Sequence, residues 1–219
     1  MNMKYELAVF DMDGTILDTL EDLTDATNYV LKQFGKPERT TKEVRELLGN
    51  GMRYLLRMAA GGNTSDDEVK QMISVFYPYY KDHAAIKTKP YDGIVKAIQD
   101  IRSRGIRTAV VSNKPDVAVR DLSQMYFPGL FDEAVGASEE VRTKPSPDGV
   151  NLVLQRLGVD RTNAVYIGDS EVDYATSQNA QMDVIMVSWG FRDKEDILKL
   201  GAPIVVDVPS EIVEKILNP

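Results

Sequence analysis

No cysteine occurs in the 219 residues, which excludes a disulfide framework, a thiolate metal site and a thiol nucleophile. Excess positive charge is also missing. The formal net charge is −8, which argues against nucleic acid or an anionic membrane surface as the main partner. No apolar run approaches the ~20 residues of a membrane span. The lead-in Met-Asn-Met-Lys-Tyr-Glu is too short and too polar for a signal peptide, so a cytoplasmic protein is expected. Internal repeats and low-complexity segments are absent. What is present is a composition 43% hydrophobic, enough for one large domain or one domain with a modest insertion.

Tyr5 to Phe10 reads as a short buried strand, closed at once by Asp11, Asp13 and Gly14. After it the pattern is helical to about residue 87. Leu20, Leu23, Thr27, Val30, Leu31 and Phe34 recur at helix spacing, and Gly35-Lys36-Pro37 stops the run. Thr40 or Thr41 can cap a second helix, Met52 to Ala60 form a third, and Ser65 with Glu68 has capping-box spacing for a fourth. From Pro90 helices and strands alternate. Strands are expected at 106–111, 133–135, 164–167 and 184–187, separated by helices, with a last helix near 211–217. This alternation implies βαβ units and a Rossmann-like α/β fold, with helices on both faces of a parallel sheet. The expected division is a core of residues 1–17 and 88–219, with a helical insertion at 18–87. Residues 19–87 carry ten acidic and ten basic side chains, so the acidic excess lies in the α/β part.

Ligand sites in α/β proteins lie at the carboxyl ends of parallel strands. Polar groups collect there in chain order: Asp11 and Asp13, then Ser112 and Asn113, then Lys144 before a helix that Pro147 or Asp148 starts, then Asp169 and Asp173 one helical turn apart. This set resembles the four motifs of the haloacid dehalogenase superfamily, and specifically its phosphatases with a helical cap inserted after the first motif. The resemblance covers nearly the whole chain. It implies that Asp11 attacks phosphorus to form an aspartyl-phosphate, and that Asp13 protonates the leaving oxygen and later deprotonates water. Ser112, Asn113 and Lys144 would bind the phosphoryl group. Mg²⁺ would take Asp11, the Asp13 carbonyl and Asp169, with Asp173 in an outer or water-mediated position. Four aspartates and one lysine sum to −3, so a phosphate dianion is repelled unless the metal is bound, and strict metal dependence is expected.

Substrate choice would rest with the cap. Asn50 in Gly49-Asn50-Gly51 and Arg53 on the next helix are its candidate contacts, although a solvated face is the simpler account of Arg53. The Gly-Asn-Gly loop and Val-Ser-Trp-Gly-Phe-Arg at 187–192 look like phosphoglycolate phosphatases. The expected reaction is hydrolysis of a small anionic phosphomonoester, with 2-phosphoglycolate the leading substrate. Pyrophosphatase activity or a β-phosphoglucomutase-type outcome are the alternatives, and a monomer or homodimer the expected assembly. Relatives place glycine where Gln181 follows Ala180, so a left-handed helix stop there should cost about 1 kcal/mol or shift by a residue. His83 and Trp189 are read as packing residues.

Overall fold

The computed structural model describes residues 4–218; Met1–Met3, the start of the lead-in considered above, lie outside the described residues. In chain order the elements are β1 (Leu7–Phe10), β2 (Leu17–Asp18), α1 (Leu20–Gln33), α2 (Thr41–Leu47), α3 (Met52–Ala59), α4 (Asp66–His83), β3 (Lys89–Pro90), α5 (Ile94–Ser103) and β4 (Arg107–Pro115). There follow α6 (Asp116–Tyr126), β5 (Glu133–Ala137), α7 (Asp148–Leu157), β6 (Ala164–Gly168), α8 (Glu171–Ala180), β7 (Asp183–Val187), α9 (Lys194–Lys199), β8 (Val205–Val206) and α10 (Pro209–Leu217). The chain divides into two compact units, Met1–Leu17 with Pro90–Pro219, and Asp18–Lys89.

The larger unit is built on a parallel sheet of six strands in the order β5-β4-β1-β6-β7-β8. Its strands are apolar on both sides because both faces are covered. Strand alternation sends Ala8 and Phe10 of β1, Val165 and Ile167 of β6, and Ile185 and Val187 of β7 into one cluster with α5 and α10. The intervening Leu7, Val9, Tyr166, Val184 and Met186 join a second cluster with α7. Full burial of each valine, leucine, isoleucine, phenylalanine or methionine among them contributes about 1.5–3 kcal/mol. Chain direction across the sheet reverses beside β1, whose neighbours are β4 and β6. That switch point leaves a crevice at the carboxyl ends of three central strands.

The smaller unit contains α1 to α4. Thr40 caps α2 in a reciprocal box with Glu43, and the Ser65 side chain accepts from the Glu68 amide at the start of α4. Asp22, buried on α1, accepts from the amides of Ile86, Lys87 and Thr88 and so ties the end of the unit to its beginning. His83 packs as expected: its ring lies on Tyr79 at 3.9 Å, and Tyr79 lies on Tyr29 at the same separation.

Four short elements go beyond the sequence expectation, and one strand runs longer. β2, β3 and β8 have two residues each and α9 six, too few for a periodicity to register. β4 continues past Val111 through Ser112-Asn113-Lys114 to Pro115, with its register against β5 shifting between Val111 and Pro115. Gln181 does adopt the left-handed conformation, with φ 55°, and the helix stop is not displaced. Gln181→Gly is therefore expected to stabilise the protein by about 0.5–1 kcal/mol, read as a small rise in Tm.

Candidate active site

β1 delivers Asp11 to the crevice while still bound to the sheet, since its amide donates to Ile167 O at 2.9 Å. Asp11, Asp169 and Asp173 each place a carboxylate oxygen within 4.8 Å of the others, and all three are buried. Lys144 comes from the loop after β5, with its side chain 4% exposed. Its Nζ lies 2.6 Å from Asp11 Oδ1 and 2.7 Å from Asp173 Oδ1. A cis peptide joins it to Pro145. Asn113, expected at the phosphate, uses its side-chain amide on that loop. Its Oδ1 accepts from the Lys144 amide at 2.6 Å, and its Nδ2 donates to the Lys144 carbonyl at 3.1 Å. Ser112 is buried at the end of the apolar part of β4, and its Oγ accepts from the Lys114 amide.

The two carboxylates beyond β6 have different environments. Asp169 Oδ1 accepts from the Thr15 hydroxyl at 3.0 Å and Oδ2 from the Phe191 amide at 2.7 Å. Asp173 receives five donors: Lys144 Nζ and the Tyr166 hydroxyl on Oδ1, and the Ser170 amide, the Ser170 hydroxyl and the Asp169 amide on Oδ2. A carboxylate offers about four lone-pair sites, so Asp173 has none to spare for a cation. Ser170, not Asp169, occupies the N-cap of α8. Asp169 brings a carboxylate oxygen within 4.8 Å of those of Asp11 and Asp173, and Asp173 serves as the anchor of Lys144.

Electrostatics follow this division. Burial raises the Asp11 carboxyl well above its ordinary range, and the neighbouring Asp173 charge adds to the rise. Burial, then the Asp173 charge, pushes Asp169 up to about 7. Burial alone would raise Asp173 as well, but Lys144 and its hydrogen bonds bring it below the ordinary value. Lys144 would lose its proton through burial, yet Asp11 and Asp173 hold it strongly protonated. Asp11 and Asp169 are thus costly to ionise together, and these residues are the ones that would hold a divalent cation, which would offset their charge. The oxygen-only donor set suits Mg²⁺.

Two glycines shape the Asp169 pocket. Gly14 has φ 89°, and a Cβ on it would collide with the Asp169 carboxylate. A Cβ on Gly190 would overlap the same Asp169 side chain, although its backbone demands no special conformation. Gly190→Ala should therefore leave the fold intact and displace Asp169. An activation curve against Mg²⁺ is expected to shift about 10–100-fold to weaker affinity.

Not every expected residue joins the cluster. The Asp13 carboxylate lies outside the trio and pairs with Lys114 Nζ at 3.0 Å. Asn50 and Arg53 belong to the smaller unit, where Arg53 is half exposed and pairs with Asp66 at 3.5 Å; Arg57 pairs with the same carboxylate. Trp189 packs near Tyr91 and donates to Thr15 O at 3.1 Å. Lys114 and Tyr166 escaped the sequence reading. Tyr166 left a signal, since a tyrosine inside an aliphatic strand needs a partner for its hydroxyl; Lys114 follows the expected end of its strand and left none.

The sequence profile of the haloacid dehalogenase-like hydrolases matches residues 8–187. The chain belongs to the haloacid dehalogenase-like hydrolases. Among curated members, the phosphoglycolate phosphatase of Psychrobacter arcticus is 30% identical, over 99% of this chain and 97% of that protein. The N-acetylmuramic acid 6-phosphate phosphatase of Pseudomonas aeruginosa is 29% identical, over 97% of this chain and 95% of that protein. A solved structure from Lactobacillus delbrueckii subsp. bulgaricus, itself only provisionally called a phosphoglycolate phosphatase, superposes with TM-score 0.94 at 40% identity. It covers 99% of this chain and is itself covered in full. This dehalogenase-like hydrolase is a phosphatase. Among the described residues no helix is long and apolar enough to cross a membrane.

Proposed function

We propose that the protein is a Mg²⁺-dependent, cytoplasmic phosphomonoesterase that works through an aspartyl-phosphate on Asp11, with 2-phosphoglycolate the leading substrate. The observation that carries this reading is the buried Asp11–Asp169–Asp173 trio with Lys144 wedged into it, at the ends of the central strands of a phosphatase fold. Asp11, Asp169 and the Asp13 carbonyl would hold the ion, which would neutralise charge on the phosphoryl oxygens. An Asp11 oxygen attacks phosphorus as the ester oxygen departs, and Asp13 gives that oxygen its proton. In the second half Asp13 takes a proton from water as the water oxygen attacks phosphorus. The bond to Asp11 then breaks and inorganic phosphate leaves. Lys144 and Ser112 hold the equatorial oxygens throughout.

Lys114 revises the charge account made from sequence. Four aspartates and two buried lysines sum to −2, which a divalent ion brings to zero before the substrate arrives. The names of the two curated relatives join a phosphate ester to a carboxylic acid in one small molecule. That shared chemistry favours phosphoglycolate over pyrophosphate, and the smaller unit, through Asn50, is our candidate for reading the carboxylate.

The test is kcat/KM across phosphoglycolate, pyrophosphate, sugar phosphates and nucleotides with Mg²⁺. Phosphoglycolate is expected to rank first, with stoichiometric phosphate release. An isomerised sugar phosphate appearing without free phosphate would establish a mutase instead, and full activity after exhaustive chelation would remove the metal. Stability gives a second readout. The Asp169 proton, held to about 7 in the fold against 3.8 in the open chain, is lost as pH rises through that window. The metal-free protein therefore loses stability as pH rises between those values, so added Mg²⁺ should raise Tm more at pH 8 than at pH 5.

A further inference from the structure

Lys114 is the second buried lysine of the crevice, with 4% of its side chain exposed. Lysine rarely accepts such burial, because its flexible stem normally carries the ammonium to water. It stays here because Nζ meets Asp13 Oδ1 at 3.0 Å. The two residues come from neighbouring strand ends: Asp13 in the turn after β1, and Lys114 in the extension of β4, whose apolar part pairs with β1 up to Phe10 and Val110. The polar extension of β4 is what carries the lysine there. Ser112 braces it locally, since Ser112 Oγ accepts the Lys114 amide at 3.2 Å. Lys144 pairs with Asp11 and Asp173.

We propose that Lys114 is a positioning residue for Asp13: by engaging Oδ1 it directs the other carboxyl oxygen, Oδ2, to the leaving-group oxygen. A lone aspartate can rotate about two side-chain bonds, and proton transfer works only when one oxygen lies within hydrogen-bond reach of the departing atom. Fixing one oxygen with an ammonium leaves the second with a single orientation. Lys114 itself exchanges no proton and touches no reacting atom. This inference rests on the assignment of Asp13 as the proton donor.

The dependence of rate on the leaving group tests it, since a good leaving group needs no proton. The measured quantity is kcat/KM, which reads formation of the phosphoenzyme, for a series of aryl and alkyl phosphates that lack a carboxylate. Wild type, Lys114→Met, Lys114→Arg and Asp13→Asn are compared with Mg²⁺ present. Lys114→Met is expected to lose about 10²-fold on alkyl phosphates and no more than about 3-fold on p-nitrophenyl phosphate, within the span usual for acid catalysis. Lys114→Arg, which keeps a donor at altered reach, should recover most of the alkyl phosphate activity. Activity on p-nitrophenyl phosphate also certifies that each variant is folded. A uniform loss over the series, with Asp13→Asn steep, overturns the proposal alone. So does a rise in KM for phosphoglycolate, assayed beside the series, with the carboxylate-free series unchanged, which would make Lys114 a substrate ligand. A flat profile for Asp13→Asn removes the proton-donor assignment, and the positioning role with it.

Discussion

Asp11→Asn is expected to lower phosphate release by about 10⁴-fold or more, because the substitution removes the attacking oxygen and leaves only binding and charge stabilisation. The loss should fall on kcat. Acid quenching of wild type should trap phosphate on the protein, whereas the variant should yield none. Stability is expected to move differently. Asp11 is buried against Asp173 and Asp169, and its carboxyl is driven well above the ordinary range, so ionising it works against the fold. The neutral amide ends that repulsion. The metal-free variant should consequently melt no lower than wild type, while the rise in Tm on adding Mg²⁺ should largely vanish. Undiminished turnover would reject the covalent route.

Lys144→Met should be costly to both activity and folding. Methionine matches the stem of lysine but leaves Asp11 and Asp173 facing each other in the interior without their cation. Breaking a buried pair on one side costs about 3–5 kcal/mol, since the orphaned charge remains. Here Asp11 loses its lysine, Asp173 loses one of its five donors, and the Tyr166 hydroxyl loses its lysine contact at 3.2 Å. Protonation relieves the strain. The destabilisation relative to wild type is therefore expected to be larger at pH 8 than at pH 5, measured by denaturant titration without metal. Mg²⁺ should restore part of it. With Mg²⁺ saturating, kcat is still expected to fall by about 10²–10³-fold, since the donor to the phosphoryl oxygens is gone. Equal destabilisation at both pH values would mean that packing, not charge, is what Lys144 supplies.

Much of this molecule can be read from local pattern. The apolar run before Asp11, and the alternation of strands and helices after Pro90, specify a parallel sheet because each strand must be buried on two faces. The short elements were illegible for the opposite reason: β8 and α9 hold too few residues to repeat anything. The site divides along the same line. Asp11, Asp169 and Lys144 stood out because charged residues directly after, or close to, buried strands are hard to place elsewhere. Lys114 did not stand out, since Ser-Asn-Lys-Pro reads as a turn and shows its strand character only when β4 is seen running on beside β1.

The amino-acid sequence alone determines which chemical groups this phosphatase has and at which strand ends they emerge, because strand period and chain order are local properties. Which group faces which was decided only by tertiary structure. Asp173 and Asp169 lie four residues apart and differ little in sequence context. In the fold one is saturated by five donors, while the other accepts from the Thr15 hydroxyl and the Phe191 amide and lies close against Gly14 and Gly190. Asp11 and Asp13 are likewise near neighbours that receive different lysines, from β4 and from the loop after β5. Electrostatic pairing acts through space over a few ångströms, and chain separations of 101 and 133 residues leave no trace of it in the sequence.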